Sequence, residues 1–358
     1  MEFTRLPHPN PATDACRAEV LSNPGFGKFF TDHMLTVTWT AGQGWHSANI
    51  APYGPIAMDP AAAVLHYAQE IFEGMKAYRH PDGSIWTFRP QANAARFNRS
   101  AKRMAMPEML EADFVKALET FVKADSKWVS STPDHSLYLR PFMFATEAFL
   151  GVRPATEYKF MVIASPVASY FAGGVKPVTI WLSENFTRAA KGGTGAAKCG
   201  GNYASGLAAQ LEATANGCDQ VVFVDTVERK WVEELGGMNL YFVMRDGTLV
   251  TPPTGGTILE GITRLSIFQL AQEYGLKPQE RPISIEQWKA GVANGDIKEI
   301  FACGTAAVIT PVGKLVWQGG STSDGSIGEI TTRLRKSLMD VQFGLAPDSH
   351  GWMHRLVG

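Results

Sequence analysis

Residues 232–264 read VEELGGMNLYFVMRDGTLVTPPTGGTILEGITR. Lys230–Leu235 is a short run expected to form a strand. Asn239–Met244 and Leu249–Thr251 form a hairpin around the turn pair Asp246-Gly247. After Pro252-Pro253 comes Ile258-Leu-Glu-Gly-Ile-Thr-Arg264, a glycine turn feeding a helix over Thr263–Tyr274. Strand, hairpin, turn and helix in one run set a mixed α/β pattern. The start of that helix also offers free N–H groups and a positive dipole end, which suits a phosphate.

The alternation continues outward. Upstream lie expected strands Val178–Leu182 and Gln220–Val224 around a helix Ala204–Asn216 closed by Gly217. Downstream, helices are expected over Ile285–Ala293 and Ile330–Gln342. The first half reads differently. Residues 1–55 are rich in Pro, Gly and aromatics and suggest loops and short strands. Asp59-Pro60 opens a helix through about Gln69. Phe72–Arg79 and Ser84–Phe88 read as strands joined by His80-Pro-Asp-Gly83. Helices follow at Gln91–Met106 and Glu111–Val129, then β-rich stretches at His135–Thr146 and Glu157–Val167. The expected organisation is a small α+β domain over 1–168, a linker over 169–176, and a large mixed α/β domain over 177–358.

With 358 residues, 45% hydrophobic and 19% charged, the chain has an ordinary globular balance, and its net charge of −1 argues against a nucleic-acid partner. No apolar run approaches membrane-spanning length, and the N-terminus lacks the apolar core of a signal peptide. Cys16, Cys199, Cys218 and Cys303 are scattered, without CxxC or metal-ligand spacing, which fits a reducing cytoplasm and no metal site.

Lys198 lies in Thr194-Gly-Ala-Ala-Lys-Cys-Gly-Gly-Asn-Tyr203. Glycines at 192, 193, 195, 200 and 201 are expected to allow positive φ and close approach to a ligand. A lysine held there can become an amine nucleophile. The stretch is not a phosphate-binding P-loop, because Ala197 and Cys199 replace the flanking Gly and Ser/Thr. On this loop alone, a surface lysine remains the alternative. Cys303-Gly-Thr-Ala-Ala307 is a small-residue turn able to present N–H groups to a carboxylate. Arg96, Arg99 and Arg103 recur at helical spacing; a solvated basic stripe is the plainer reading, favoured for Arg99 and Arg103.

Glu234-x-Gly236-x-x-Asn239-Leu-Tyr241, Leu249-x-Thr251 and Leu259-x-Gly261-Ile-x-Arg264 together resemble the signature of the class IV aminotransferases. These are fold-type IV, D-amino-acid-aminotransferase-like enzymes that use pyridoxal 5′-phosphate (PLP). Leu65-His-Tyr67, Phe72-Glu-Gly-Met-Lys-Ala-Tyr78, Leu137-Tyr-Leu-Arg-Pro141, Tyr170-Phe-Ala-Gly-Gly174, Lys198-Cys-Gly-Gly-Asn-Tyr203 and Gly304-Thr-Ala306 narrow the resemblance to branched-chain aminotransferases.

The resemblance implies ping-pong transfer of an amino group between L-leucine, L-isoleucine or L-valine and 2-oxoglutarate, with glutamate and 2-oxo acids as the exchanged species. It implies that Lys198 carries PLP covalently and then moves the proton, that Glu234 pairs with the ring nitrogen, and that Tyr203 bonds the phenolic oxygen. The phosphate falls to Arg96, Ile262, Thr263 and Thr305. Phe72, Tyr138, Tyr170 and Tyr203 would form an aromatic pocket, with Arg140 receiving the glutamate side-chain carboxylate. Thr305, Ala306 and Tyr67 would meet the α-carboxylate, Tyr67 reaching in across a homodimer interface.

Two positions depart from mammalian members. Ala307 and Thr310 stand where those carry a CxxC pair, and Gly237 stands where they carry Thr. The rival readings are another fold-type IV enzyme, such as a D-amino acid aminotransferase or an aminodeoxychorismate lyase, and a non-catalytic phosphate- or nucleotide-binding protein.

Overall fold

A computed structural model describes residues 1–168, 175–323 and 325–358. Tyr170 and most of the expected linker lie outside the described residues. The chain divides into two compact units, one of Met1–Ala172, Ala197–Gly200 and Asp340–Gly358, the other of Gly173–Ala196 and Gly201–Met339. The short segment bearing Lys198 therefore groups with the N-terminal residues.

The first unit contains β1 (Thr4–Arg5), α1 (Asp14–Ser22), β2 (His33–Thr40), β3 (Gly44–Pro52), α2 (Ala63–Tyr67), β4 (Glu70–Phe72), β5 (Met75–Arg79) and β6 (Ile85–Phe88). After these come α3 (Pro90–Arg103), α4 (Glu111–Ala124), β7 (Ser136–Ala145) and β8 (Glu157–Val167). With the C-terminal strand Met353–Val357, the strands run in the order β1-β3-β2-β8-β7-β5-β6-C-terminal, and β4 also pairs with β7.

Three expectations change here. Residues 33–52, within the stretch expected to hold loops and short strands, form one long hairpin. His33, Leu35 and Val37 are buried in strict alternation, a period-two pattern masked by the intervening Met and Thr. The helix expected from Asp59 is cut to α2, because the Asp59 carboxylate holds the Ala61 N–H in a turn and Ala68 takes a left-handed conformation. The strand expected over 72–79 breaks at Glu73-Gly74. A Cβ on Gly74 would lie 2.1 Å from the Tyr138 hydroxyl, so only glycine fits.

Helix α3 opens on Pro90 and buries two parallel rows. Ala94, Phe97 and Ala101 enter the core made with Phe114, Leu118 and Phe160. Asn93, Arg96 and Ser100 form a buried polar row beside them.

The second unit contains β9 (Val178–Leu182), α5 (Gly200–Ala204), α6 (Leu207–Ala215), β10 (Gln220–Val224), β11 (Val232–Leu235), β12 (Asn239–Met244) and β13 (Thr248–Thr251). Then follow α7 (Ile262–Glu273), β14 (Lys277–Glu280), α8 (Ile285–Asn294), β15 (Ile297–Gly304), β16 (Val308–Trp317), β17 (Gly320–Ser321) and α9 (Glu329–Gln342). Its sheet runs β11-β10-β9-β16-β15-β12-β13-β14, with β17 on β16, and mixes parallel with antiparallel pairs. This is the mixed α/β architecture expected from residues 232–264.

Strands β15 and β16 show little alternation, being buried on both faces over most of their length, and they escape a pattern reading even though the small-residue turn between them is legible. The helix expected over 204–216 splits at Ser205, whose hydroxyl donates to the Arg188 carbonyl at 3.0 Å. Among the described residues, no helix is long and apolar enough to cross a membrane.

Candidate active site

Each unit holds one group of candidate residues. In the first, Lys198 is fixed through its backbone. Its N–H donates to the Ser100 hydroxyl at 2.9 Å, and its carbonyl accepts the Phe72 N–H at 2.9 Å. The neighbours Ala197 and Cys199 are buried in the core, so the segment is anchored on both sides of the lysine. The Glu70 carboxylate accepts the Gly200 N–H, and a Cβ on Gly200 would lie 2.4 Å from that carboxylate. Burial pushes the Glu70 carboxyl above its usual range, against the opposing pull of the Gly200 N–H and the Arg140 charge.

The five loop glycines serve different ends. Only Gly192 takes a positive φ, whereas Gly195 and Gly200 are required by close contacts, with the Thr257 carbonyl and Glu70 respectively. The expectation of positive φ throughout is corrected to one position.

Lys198 Nζ lies 4.7 Å from the centre of the Phe72 ring, and the Arg140 guanidinium carbon lies 4.7 Å from the same ring. Arg140 Nη2 donates to the Tyr138 hydroxyl at 3.1 Å, while its buried Nε has no hydrogen-bond partner among the described residues. A lysine, two aromatic rings and an arginine with an unmet donor thus come together.

Arg96 is buried and Arg99 and Arg103 are exposed, so the three arginines do not share an environment. Arg96 Nε and Nη2 donate to the two oxygens of Glu73 at 2.8 and 2.7 Å. Tyr67 lies apart from this group, half-exposed on α2, its hydroxyl donating to the Leu150 carbonyl.

In the second unit, Glu234 lies near the end of β11 as a buried carboxylate. Arg188 Nη1 sits 2.8 Å from its Oε1, and the Leu259 N–H donates to the same oxygen at 2.9 Å. Asn239 approaches the other oxygen at 3.5 Å and donates to the Leu259 carbonyl at 3.0 Å. That placement explains Gly261, where a Cβ would lie 2.1 Å from Asn239 Oδ1. Helix α7 starts immediately afterwards with no side chain capping its first turn, leaving the N–H groups around Ile262 and Thr263 for a ligand. Asn239 pairs with Cys303 across β12 and β15, which brings the Gly304-Thr305-Ala306 turn beside the Gly237-Met238 backbone. Tyr203 lies 3.6 Å from where a Gly237 Cβ would be.

Glu233, the neighbour of Glu234, also feels Arg188. Burial raises its carboxyl, while a Thr257 hydrogen bond and the Arg188 charge pull the other way. Cys303 is a fully buried thiol pushed up to about 12 by desolvation, so no reactive thiol stands at the turn.

The sequence reading missed Arg188, Ser100 and any role for Glu73. Arg188 belongs to no quoted motif; its one local signal is an arginine inside an otherwise small-residue loop. Glu73 and Ser100 carry a signal only once α3 is known to bury a polar row. Among the described residues, no group of three His, Cys, Asp or Glu could hold a metal.

Taken unit by unit, the first offers an anchored lysine amine and the second a buried carboxylate and an uncapped helix start, donor types suited to an aldehyde, a ring nitrogen and a phosphate respectively. Comparison with known proteins agrees. The Amino-transferase class IV family matches residues 70–315. A probable branched-chain-amino-acid aminotransferase of Streptomyces coelicolor is 56% identical over 98% of this chain and 98% of its own length. The crystal structure of the Escherichia coli branched-chain amino acid aminotransferase aligns with a TM-score of 0.73 at 28% identity, covering 89% of this chain and 99% of that one. The branched-chain amino acid aminotransferase of Thermobaculum terrenum, solved in its PLP form, shares the fold with a TM-score of 0.73 at 24% identity, covering 91% and 99%.

Proposed function

This chain belongs to the class IV aminotransferases, and on that premise we propose that it is a PLP-dependent transaminase exchanging the amino group of L-leucine, L-isoleucine or L-valine with 2-oxoglutarate. One observation carries the substrate assignment. Phe72 lies 4.7 Å from both Lys198 Nζ and the Arg140 guanidinium, whose Nε lacks a partner among the described residues. Such a site must accept an apolar side chain in one half-reaction and a carboxylate in the other. An aromatic surface beside the lysine serves the first, and an arginine held by Tyr138 serves the second.

When bound, PLP supplies an electron sink for the pair released at the substrate Cα. Lys198 would hold the cofactor through Nζ, and the same Nζ, when free, would remove and return the proton at the substrate Cα. Glu234 would keep the ring nitrogen protonated, and its clamp of Arg188, Leu259 N–H and Asn239 fixes where the carboxylate points. Tyr203 would donate to the phenolic oxygen. Arg96, Ile262, Thr263 and Thr305 would take the phosphate. Thr305 and Ala306 would receive the substrate α-carboxylate, and Phe72 and Tyr138 would contact its side chain.

The test is a comparison of amino donors to 2-oxoglutarate. L-leucine, L-isoleucine and L-valine are expected to turn over, and D-alanine is not; activity with D-alanine alone would overturn the reading in favour of a D-amino acid enzyme of the same fold.

The proposal extends to a cytoplasmic homodimer in which Tyr67 completes the neighbouring copy's site. Tyr67, Leu65, Leu150 and Val152 leave apolar surface exposed around the Tyr67–Leu150 bond, which supports a covered face. Light scattering is expected to give twice the 39.0 kDa chain mass; a monomer at working enzyme concentration contradicts it.

A further inference from the structure

Glu73 is fully buried, and nothing in the transamination scheme uses it. Four donors converge on its carboxylate. Arg96 Nε reaches Oε1 at 2.8 Å. Arg96 Nη2, Asn93 Nδ2 and the Gly74 N–H reach Oε2 at 2.7, 2.8 and 3.3 Å. Burial alone would raise this carboxyl, but the charge and hydrogen bonds of Arg96, with Lys198 and Asn93, hold it below the usual carboxylate range. It is a carboxylate whose position is set on every side.

An ion pair this deep is no efficient way to add stability. Desolvating both charges cancels much of their attraction, and apolar residues of similar size often do as well. What the pair does supply is direction. A guanidinium is planar with five donors in a fixed fork, so fixing its Nε and Nη2 edge fixes where the rest of the group points. The same polar row of α3 continues to Ser100, one turn beyond Arg96, which holds the Lys198 N–H at 2.9 Å. One helix face therefore sets both the arginine and the backbone of the lysine, and Glu73 is the anchor at its arginine end.

We propose that Glu73 is a positioning residue for cofactor binding, holding the Arg96 guanidinium in the orientation that receives the phosphate. The proposal rests on the assignment of Arg96 to the phosphate made above. It separates Glu73 from an ordinary core ion pair, because a positioning role acts on the phosphate and not on the rest of the cofactor.

The experiment measures binding of PLP and of pyridoxal, which lacks the phosphate, to the full-length apoprotein. Both ligands offer Lys198 the same aldehyde, so the ratio of the two dissociation constants isolates the phosphate contacts. Glu73→Gln preserves shape and removes the charge. It is expected to weaken PLP roughly tenfold to a hundredfold, the range for a hydrogen bond to a charged group, with pyridoxal changed by less than about threefold. Arg96→Ala is expected to collapse the ratio, and adding Glu73→Gln to it should change nothing further.

Equal weakening of both ligands by Glu73→Gln, or an unchanged ratio, overturns the positioning role while leaving the Arg96 assignment standing. An unchanged ratio in Arg96→Ala overturns the phosphate assignment itself, and the positioning role with it. If Glu73→Gln does not fold, Asn93→Ala decides the matter, since it removes one donor to Oε2 only. A selective loss of PLP affinity by about threefold supports the proposal, and a ratio equal to the parent's rejects it.

Discussion

Lys198→Ala is expected to lower transamination of L-leucine by roughly 10⁴-fold or more, if one side chain serves, as proposed, as both the covalent carrier and the proton shuttle. The fold should survive. The two backbone hydrogen bonds of residue 198, to Ser100 and Phe72, do not depend on its side chain, and Ala197 and Cys199 keep the segment in the core. The variant should therefore unfold near the parent's midpoint and still bind PLP, now without a covalent link. Borohydride reduction fixes the cofactor to a Lys198 peptide in the parent and should fix nothing in the variant. Added primary amines are expected to restore part of the proton-transfer step, which a purely structural lysine would not show. Near-normal turnover in Lys198→Ala would remove this lysine from the chemistry and revive the phosphate-binding alternative.

How far the sequence leads to this lysine depends on which physical signals are local. Gly261, Asn239 and Glu234 are legible together because their spacing is dictated by contacts within one short stretch. The glycine is forced by the Asn239 side chain, and Asn239 in turn lies against Glu234. Strands β12 and β13 are legible for the same reason, being joined by a turn with its own chemistry. What is lost is set by distant partners. Strands β15 and β16 take their places from burial on both faces, which leaves no alternation to read. The buried row Asn93, Arg96 and Ser100 reads as a polar helix face until Glu73 and the Lys198 backbone are seen opposite it. Arg96 and Arg99 look alike by helical spacing; the resemblance alone singles out Arg96, and the position of Glu73 supplies the physical reason it is buried. Glycine chemistry misleads in a milder way, since close approach rather than positive φ explains Gly195 and Gly200.

Arg188→Met carries the second large effect, and it tests a residue that no motif points to. Arg188 and Glu234 are both nearly inaccessible, with Nη1 2.8 Å from Oε1, and the same nitrogen also donates to the Thr257 carbonyl at 2.9 Å. Methionine fills much of the volume but leaves the Glu234 carboxylate buried without its cation. Breaking a buried pair from one side typically costs about 3–5 kcal/mol, more than the pair itself contributes. Denaturant unfolding should show a loss of that order, and turnover should fall by roughly 10²-fold or more if Glu234 has the proposed ring-nitrogen role, since it loses the group that fixes its position. Glu234→Gln alone should lower turnover at least as far with a smaller loss of stability, because the Arg188 cation it leaves unpaired keeps its hydrogen bond to the Thr257 carbonyl. The double variant is the sharper measurement. Combining Arg188→Met with Glu234→Gln should recover part of the stability lost in Arg188→Met, with turnover remaining at the level of Glu234→Gln. The Thr257 carbonyl contact stays lost, so recovery should be incomplete. Strictly additive losses in the double variant would show that the two residues act independently, and would assign Arg188 to holding the 195 and 257 loops rather than the catalytic carboxylate.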